Sequence, residues 1–229
     1  KKYNADYTGG IIKTIPWNKS FSASLVQALT THKFGVGNSG FRTSVKFNGE
    51  SDTASFGLFK KDVFEKHGLF NEKLIRCQDY ELNRRIKKNG GKIWMNSDAI
   101  VNYKNKKSLS SFLRKQFFYE APYNAYMWYI APYTFSFRHS ITLFFSVGIL
   151  GGAILSQFIS FLAYIYFSVI LLYFILAEFS SIQQAMRYKK LSHVIFLPIC
   201  FFLYHFFHGL GTLVGFINLI FHRSPVQKA

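Results

Sequence analysis

The sequence predicts an α/β segment followed by an α-helical transmembrane region. Alternating strand and helix patterns predict the first part, and the distribution of charge predicts the second. Residues 1–137 hold 22 of the 28 Lys and Arg residues and 10 of the 11 Asp and Glu residues. Glu178 is the only charged residue between Arg138 and Arg187, and residues 191–222 contain no Lys, Arg, Asp or Glu. Because a helix needs about 20 apolar residues to cross ~30 Å of hydrocarbon, both stretches are long enough to span a bilayer.

The composition excludes several classes of protein. A chain of 229 residues with 49% hydrophobic and 19% aromatic residues is too apolar for a disordered tail. Two cysteines, Cys77 and Cys200, are too few for a disulfide-stapled secreted module. The formal net charge is +17, but the basic residues are scattered and precede the apolar stretches. We therefore expect attraction to anionic lipid headgroups or phospho-linked substrates, and no nucleic-acid partner.

Strand and helix patterns alternate through residues 1–125. Gly9-Gly10 predicts a strand at which another backbone approaches closely. The 79–89 stretch predicts a helix with Leu82 and Ile86 on one face, ended by Gly90-Gly91. The remaining predicted elements are a strand over 7–12, a helix over 20–31, a loop over 34–42, a short helix ended by Gly68, and strands over 92–95 and 99–103.

Three apolar helices are expected at about 140–157, 160–178 and 194–220, within a membrane region of 139–222. Residues 126–138, rich in Phe, Tyr and Trp, predict an aromatic segment at the membrane interface. The basic connector at 180–192 is expected on the cytoplasmic side.

Two features of the apolar helices leave alternatives open. Gly211 and Gly215 have the spacing that lets membrane helices pack closely, although glycine is also simply common in such helices. His205 and His208 stand three residues apart, which suits either a metal or hydrogen bonds between helices. No third ligand is visible in the sequence, so hydrogen bonding is the better interpretation.

The strongest candidate for chemistry is the start of the 79–89 helix. An acid in the first helical turn is stabilised by the free N–H groups and the dipole, so Asp79 is either a helix cap or a functional carboxylate. Glu81 lies two residues further on, which places it on another side of the helix.

Residues 34–116 resemble the second half of the catalytic domain of family 2 glycosyltransferases, of the membrane-bound exopolysaccharide or succinoglycan-biosynthesis type. The matching segments are FGVGNSGFR, DTASFGLFKKDVFEKHGLFNEKL, QDYELNRRIKKNGGKIW and SLSSFLRKQFFY. The apolar tail ending YHFFHGLGTLVGF also resembles that subgroup. The resemblance implies that residues 1–125 form the C-terminal half of a GT-A-like domain. It also implies inverting transfer of a hexose-like sugar from a nucleotide-sugar donor to a lipid-linked saccharide acceptor.

The resemblance also implies roles for single residues. The family's Glu-Asp-x-x-Leu motif falls on residues 78–82, which assigns the general base to Asp79. Gln78 stands where the motif usually has glutamate. The resemblance also implies substrate-binding residues at other positions. These are Gly57 and Phe56 as the floor beneath the donor sugar, Asp52 in the turn before it, and Gln116 near the donor diphosphate.

One expected motif is missing from the sequence. The family binds Mg²⁺ or Mn²⁺ through an Asp-x-Asp motif, and no Asp-x-Asp occurs in this chain, so we name no metal ligand. We therefore expect a C-terminal piece, inactive without its nucleotide-binding half, in a multi-pass cell-membrane protein whose catalytic part is cytoplasmic and serves polysaccharide synthesis. The alternative is a non-catalytic membrane scaffold or binding subunit that has no donor site.

Overall fold

A computed structural model of the chain describes residues 4–37, 39–43 and 47–227. It contains a mixed four-stranded sheet with short helices, followed by three long apolar helices, which confirms the predicted α/β segment and apolar helical region. The strands are β1 (Tyr7–Ile15), β2 (Gly49–Glu50), β3 (Ser55–Phe59) and β4 (Ile93–Lys104). The helices before the apolar region are α1 (Phe21–Thr30), α2 (Lys33–Val36), α3 (Gly40–Thr43), α4 (Val63–His67), α5 (Gln78–Lys88), α6 (Leu109–Lys115) and α7 (Pro122–Ile130).

The sheet has the strand order β2-β4-β1-β3, with β1 parallel to β4 and the outer pairs antiparallel. Its glycines allow close contact, as predicted, because a Cβ on Gly9 would lie 2.5 Å from the Ala54 Cβ. A Cβ on Gly10 would lie 2.2 Å from the Ala99 carbonyl oxygen. Helix α5 packs on the sheet through Leu82 and Ile86, the predicted apolar face, and both side chains are fully buried.

Several boundaries differ from the predictions. The two strands predicted over 92–95 and 99–103 form one strand, β4, whose register shifts opposite Gly10 and Ile11. The predicted loop over 34–42 contains the short helices α2 and α3, and its Asn38 lies outside the described residues. Such short helices carry no apolar periodicity that a sequence reading detects.

The three apolar helices are α8 (Phe137–Leu155), α9 (Ser160–Tyr188) and α10 (Ser192–Ile220), each long and apolar enough to cross a membrane. Helix α9 continues through most of the predicted connector at 180–192. At ~1.5 Å per residue its 29 residues measure roughly 44 Å, longer than ~30 Å of hydrocarbon. Its last turns pack on α1, where Arg187 donates to the Thr31 carbonyl oxygen at 3.1 Å and the Gln184 amide donates to the Ala28 carbonyl oxygen.

Helix α10 lies between the two halves of the chain. Its glycines bring three helices into close contact, because an added Cβ on Gly209 would lie 1.8 Å from the Thr142 carbonyl oxygen of α8. An added Cβ on Gly211 would lie 2.6 Å from the Phe117 carbonyl oxygen, and one on Gly215 would lie 2.6 Å from that of Pro122. The close-packing interpretation of Gly211 and Gly215 is therefore confirmed.

Helix α7 packs against α10 and is not an exposed surface helix. Residues 122–128 are all buried, although Tyr129, Phe135 and Phe137 are exposed. The interfacial position of 126–138 and the domain boundaries stay predictions.

We expect sodium carbonate and high salt to leave this protein in the membrane fraction and detergent to release it. The reason is that α8 and α9 expose large apolar side chains along the hairpin that they form, and such a surface requires a lipid or detergent environment. Immunoblots of the pellet and supernatant after carbonate extraction measure this. Release by carbonate would contradict the presence of bilayer-spanning helices.

We expect Gly215→Ala to lower stability by about 1–3 kcal/mol, because the new methyl group meets the backbone of α7. Gly151→Ala is the matched control. No atom lies within 4 Å of a Cβ at Gly151, and alanine favours a helix over glycine by about 1 kcal/mol. Thermal midpoints of the two variants in detergent should therefore move in opposite directions. Equal midpoints would contradict the close contact at Gly215.

Candidate functional site

A cavity of about 630 Å³ lies where the α/β half meets α7, α8 and α10. It brings together four of the predicted site residues, Phe56, Gln78, Asp79 and Gln116, which come from β3, α5 and the segment after α6. We call it the site cavity. Asp52 is exposed in the bend before β3 and does not line the site cavity in the described structure.

Gly57 does not line the cavity and instead fixes the strand behind it. An added Cβ at Gly57 would lie 2.0 Å from the Thr8 carbonyl oxygen of β1, so this strand pair requires glycine. The Gly57 N–H donates to the Tyr7 hydroxyl at 3.2 Å. Burial raises the pKa of Tyr7 to about 12, which keeps its hydroxyl neutral.

Phe56 precedes this glycine and has a φ of 51°, in the left-handed region that non-glycine residues seldom adopt. Its ring is 61% exposed and lines the site cavity. Strained backbone of this kind is concentrated at ligand sites, and the position of Phe56 beneath a donor sugar stays a prediction.

The start of α5 presents Asp79 to the site cavity. Cys77 precedes the helix with a left-handed φ of 64° and supplies no side-chain cap. The Gln78 amide is oriented so that its nitrogen faces two carbonyl oxygens. It donates to those of Leu74 and Ile75, each at 3.0 Å. Asp79 is exposed, and its Oδ1 accepts the Tyr80 N–H at 2.9 Å. The carboxylate is thus held in place while it stays accessible from the cavity.

Glu81 has a different environment from Asp79, as their spacing predicts. It is 2% exposed, its Oε2 accepts from Arg85 Nη2 at 2.9 Å, and its Oε1 accepts from the Tyr133 hydroxyl. Burial, and then the hydrogen bond to Glu81, raise the pKa of Tyr133 to about 12. Glu81 therefore joins α5 to the turn before α8 and does not face the cavity.

The site cavity carries more positive than negative charge. Among the described residues, four cationic side chains line it, together with two carboxylates. The cations are Arg42, Arg76, Lys115 and Arg138, and the carboxylates are Asp79 and Glu120. An excess of cations in a concave, partly desolvated wall attracts anionic ligands. This charge distribution suits a phosphate-bearing substrate.

A π-helical segment, Gln116–Glu120, arranges one wall of the cavity. In such a segment the residues i and i+5 come together, and Lys115 Nζ lies 2.7 Å from the Glu120 Oε1. Arg76 Nε lies 3.8 Å from the same oxygen, which ties the loop before α5 to this wall. Gln116 opens the segment and lines the cavity beside Lys115.

Two histidines from the long helices, His139 and His208, also line the site cavity. The rings of His139 and Tyr80 meet edge to face with centroids 4.6 Å apart, so α8 contacts α5 beside Asp79. His208 Nε2 lies 3.5 Å from the Asn124 amide nitrogen of α7. His205 Nδ1 shares a hydrogen bond of 2.8 Å with the Tyr173 hydroxyl of α9. Hydrogen bonding between helices, the better interpretation of His205 and His208, is confirmed.

The described residues bring no set of divalent-metal ligands together. No group of three or more His, Cys, Asp or Glu side chains that suits a metal ion occurs in the described part of the chain. Of the two cavity carboxylates, Glu120 is already paired with Lys115. The expectation of Mg²⁺ or Mn²⁺ stays a prediction from the resemblance, and no step below passes through it.

Sequence reasoning assigned no site role to the cavity cations or to His139. Arg42, Arg76, Lys115 and Arg138 are widely separated in the chain and share no motif. Arg138 and His139 had one available signal, since they stand at the edge of the first apolar stretch. The other positions become neighbours only through the fold.

Comparison with curated proteins finds a relative in Methanococcus voltae that is 26% identical over 219 residues. It is named dolichyl N-acetyl-alpha-D-glucosaminyl phosphate 3-beta-D-2,3-diacetamido-2,3-dideoxy-beta-D-glucuronosyltransferase, a glycosyltransferase with a lipid-linked acceptor. The similarity covers 92% of this chain and 60% of the relative, so the chain spans less than two thirds of that protein. No profile of a known family and no solved structure matches the chain.

We expect Glu81→Gln to lower stability by about 2 kcal/mol, because the variant breaks a buried ion pair with Arg85 and weakens the bond from Tyr133. Tyr133→Phe should cost less, since the Arg85 pair remains. Thermal unfolding in detergent measures both. A Glu81→Gln midpoint equal to that of the unmodified protein would contradict a structural role for Glu81.

The two variants should also differ at alkaline pH. Because the pKa of Tyr133 is raised, its stabilising contribution is present below about pH 10 and is lost as pH rises toward 12. Tyr133→Phe should remove that part of the alkaline stability loss.

Proposed function

We propose that this chain forms the catalytic and acceptor-binding part of an inverting membrane glycosyltransferase that moves a hexose-like sugar from a nucleotide-sugar donor to a lipid-linked saccharide. The single observation that carries the proposal is the exposed Asp79 carboxylate on the wall of a basic cavity, where an α/β half meets helices long and apolar enough to cross a membrane. The similarity to a dolichyl-phosphate-dependent glycosyltransferase supports the same class of acceptor.

In the proposed reaction, Asp79 accepts the proton of the acceptor hydroxyl as the hydroxyl oxygen attacks the anomeric carbon of the donor sugar. The bond from that carbon to the nucleotide diphosphate breaks, and the diphosphate leaves with the electron pair. Attack from the face opposite the leaving group inverts the anomeric configuration. The hydrogen bond from the Tyr80 N–H orients one carboxylate oxygen, Oδ1, of Asp79.

The cations of the site cavity have a separate role in this proposal. Arg42 and Arg76 lie with Lys115 and Arg138 around the carboxylate and attract the phosphate groups of both substrates. Phe56 and Gln116 line the same space, which suits their predicted contacts with the donor sugar and its diphosphate. Gln78 acts by holding the loop before α5 through its bonds to Leu74 and Ile75.

The proposed location is the cell membrane, with the catalytic part on the cytoplasmic side and the product used in extracellular polysaccharide or glycan synthesis. Nucleotide sugars are cytoplasmic substrates, and the basic residues of the chain favour that side of the bilayer. A scaffold without catalysis is the alternative, and assays of sugar transfer by the unmodified protein decide between them.

We expect Asp79→Asn in the full-length protein to lower kcat by about 10²–10⁴. Asparagine keeps an oxygen that accepts the Tyr80 N–H, so folding and donor affinity should be unchanged, but the amide cannot accept the proton. Turnover is measured with a polyisoprenyl-phosphate-linked N-acetylglucosamine acceptor and a panel of nucleotide sugars. Donor affinity and thermal midpoint are measured on the same samples.

Asp62→Asn is the matched control, because Asp62 is an exposed aspartate at the start of α4, outside the site cavity. It should retain normal turnover. A role for Asp79 as a helix cap alone predicts a stability loss of about 1 kcal/mol with near-normal turnover, and that result would overturn the general-base assignment. An unmodified protein that transfers no sugar from any donor in the panel would favour the scaffold.

A further inference from the structure

A second cavity leads away from the site cavity toward an apolar groove in the long helices. The groove, of about 350 Å³, lies between α8 and α9, with Phe202 of α10 contributing to its lining. It extends from Phe144 to Leu155 along α8, roughly 16 Å at 1.5 Å per residue. Its lining is almost wholly apolar. We call it the α8–α9 groove.

The second cavity, also about 350 Å³, lies between the site cavity and the α8–α9 groove. It shares Arg138, His139 and His208 with the site cavity, and Phe145 and Tyr173 with the α8–α9 groove. The rings of Phe145 and Tyr173 lie 4.7 Å apart and border both spaces. We call this cavity the neck. A continuous series of shared side chains therefore runs from Asp79 to the apolar groove.

The neck holds polar atoms that the described residues leave unpaired. His139 Nδ1, Thr142 Oγ1 and His208 Nδ1 are buried and have no hydrogen-bond partner in the described part of the chain. Buried polar atoms usually have a hydrogen-bond partner, so three unpaired ones around one cavity are available to a polar group of a ligand. Arg138 and Lys33 also line the neck, and no carboxylate is among its lining residues in the described structure, so the local charge favours an anion.

We propose that the neck binds the phosphate of a single-chain polyisoprenyl phosphate carrying the acceptor saccharide, and that the α8–α9 groove binds the adjoining part of its chain. This inference rests on the proposed function for the saccharide but not for the lipid. Charge complementarity at the neck and an apolar lining beyond it match a lipid with a phosphate directly on the chain. The groove beyond Phe145 and Tyr173 is a single apolar channel, which suits one chain rather than the two of a glycerophospholipid.

The arrangement also orients the acceptor. The Tyr80 ring contacts His139, and Tyr80 follows Asp79 in α5. A phosphate at His139 therefore places the attached saccharide toward the site cavity and the proposed base, while the chain leaves on the opposite side of the neck.

Filling the groove tests the path of the chain. Gly148 lines the groove and no atom lies within 4 Å of a Cβ added there, so Gly148→Leu fills space without a backbone clash. Gly151 lies one turn further along α8, is equally open and does not line the groove, which makes Gly151→Leu the matched control. We expect Gly148→Leu to weaken binding of a long-chain polyisoprenyl phosphate about tenfold or more, since hydrophobic pockets discriminate by this factor for small changes in fit.

Binding is measured on the full-length protein in detergent, by photo-crosslinking of a diazirine-bearing polyisoprenyl phosphate and competition with the unlabelled lipid. Peptide mapping should place the crosslinks on α8 and α9. Dioleoyl phosphatidic acid should compete at least tenfold more weakly than the polyisoprenyl phosphate. Equal crosslinking in Gly148→Leu and Gly151→Leu, or equal competition by phosphatidic acid, would overturn the proposal.

Thr142→Val tests the phosphate position separately. Valine keeps the shape of threonine and removes only the unpaired hydroxyl, so the fold should be retained. We expect binding of polyisoprenyl phosphate to weaken several-fold and binding of the unphosphorylated polyisoprenol to stay unchanged. Equal effects on both lipids would contradict a phosphate at the neck.

These assays require no sugar transfer. Lipid binding that follows the expected pattern in a protein without transferase activity would overturn the proposed function and leave the lipid site in place. Transferase activity, together with normal lipid binding in Gly148→Leu, would overturn the lipid site and leave the proposed function in place.

Discussion

The close contact of α10 with its neighbours is the interaction on which the rest of the structure depends. Gly209, Gly211 and Gly215 leave no side chain between α10 and the backbones of α8, the π-helical segment and α7. Side chains of any size at these positions would move the neighbouring helices apart. Because the same neighbours supply Gln116, Asn124 and His139 to the site cavity, three glycines that do not line the cavity set the distances across it. The candidate site is therefore a product of helix packing as much as of the sheet.

The helical geometry of α5 places Asp79 and Glu81, two residues apart in the sequence, on different sides of the helix. Asp79 is in the first turn of α5 and is exposed to the site cavity, whereas Glu81 is buried between Arg85 and Tyr133. The two acids therefore have different physical roles. Glu81 is stabilised by pairing and stabilises the fold in return. Asp79 keeps its carboxylate accessible, which is the property that a proton acceptor needs.

The sequence predicted what depends on local pattern and missed what depends on distant contact. Glycine pairs, the apolar face of α5 and the three apolar helices follow from period and composition, and the structure agrees with them. The π-helical segment was not predicted, because the sequence pattern does not show that Lys115 pairs with Glu120 five residues later. The convergence of Arg42 and Arg138 has no sequence signal either, since about a hundred residues separate them. The polar end of α9 was likewise predicted as a connector, because the charged and amide side chains at 183–190 are typical of a loop. Their hydrogen bonds with the α1 region are visible only in the structure.

The polar C-terminal end of α9 connects the apolar helices to the α/β half of the chain. The C-terminal end of α9 forms hydrogen bonds with α1 and with Thr31 after it, through Gln184, Arg187 and Tyr188. An earlier part of the same helix, between Leu162 and Tyr173, lines the α8–α9 groove. A continuous helix resists bending over this distance, because each turn is held by its own backbone hydrogen bonds. Helix α9 therefore connects the groove to the α/β half without an intervening loop. If the groove binds a lipid chain as proposed, the binding free energy of that chain contributes to aligning the acceptor hydroxyl with Asp79.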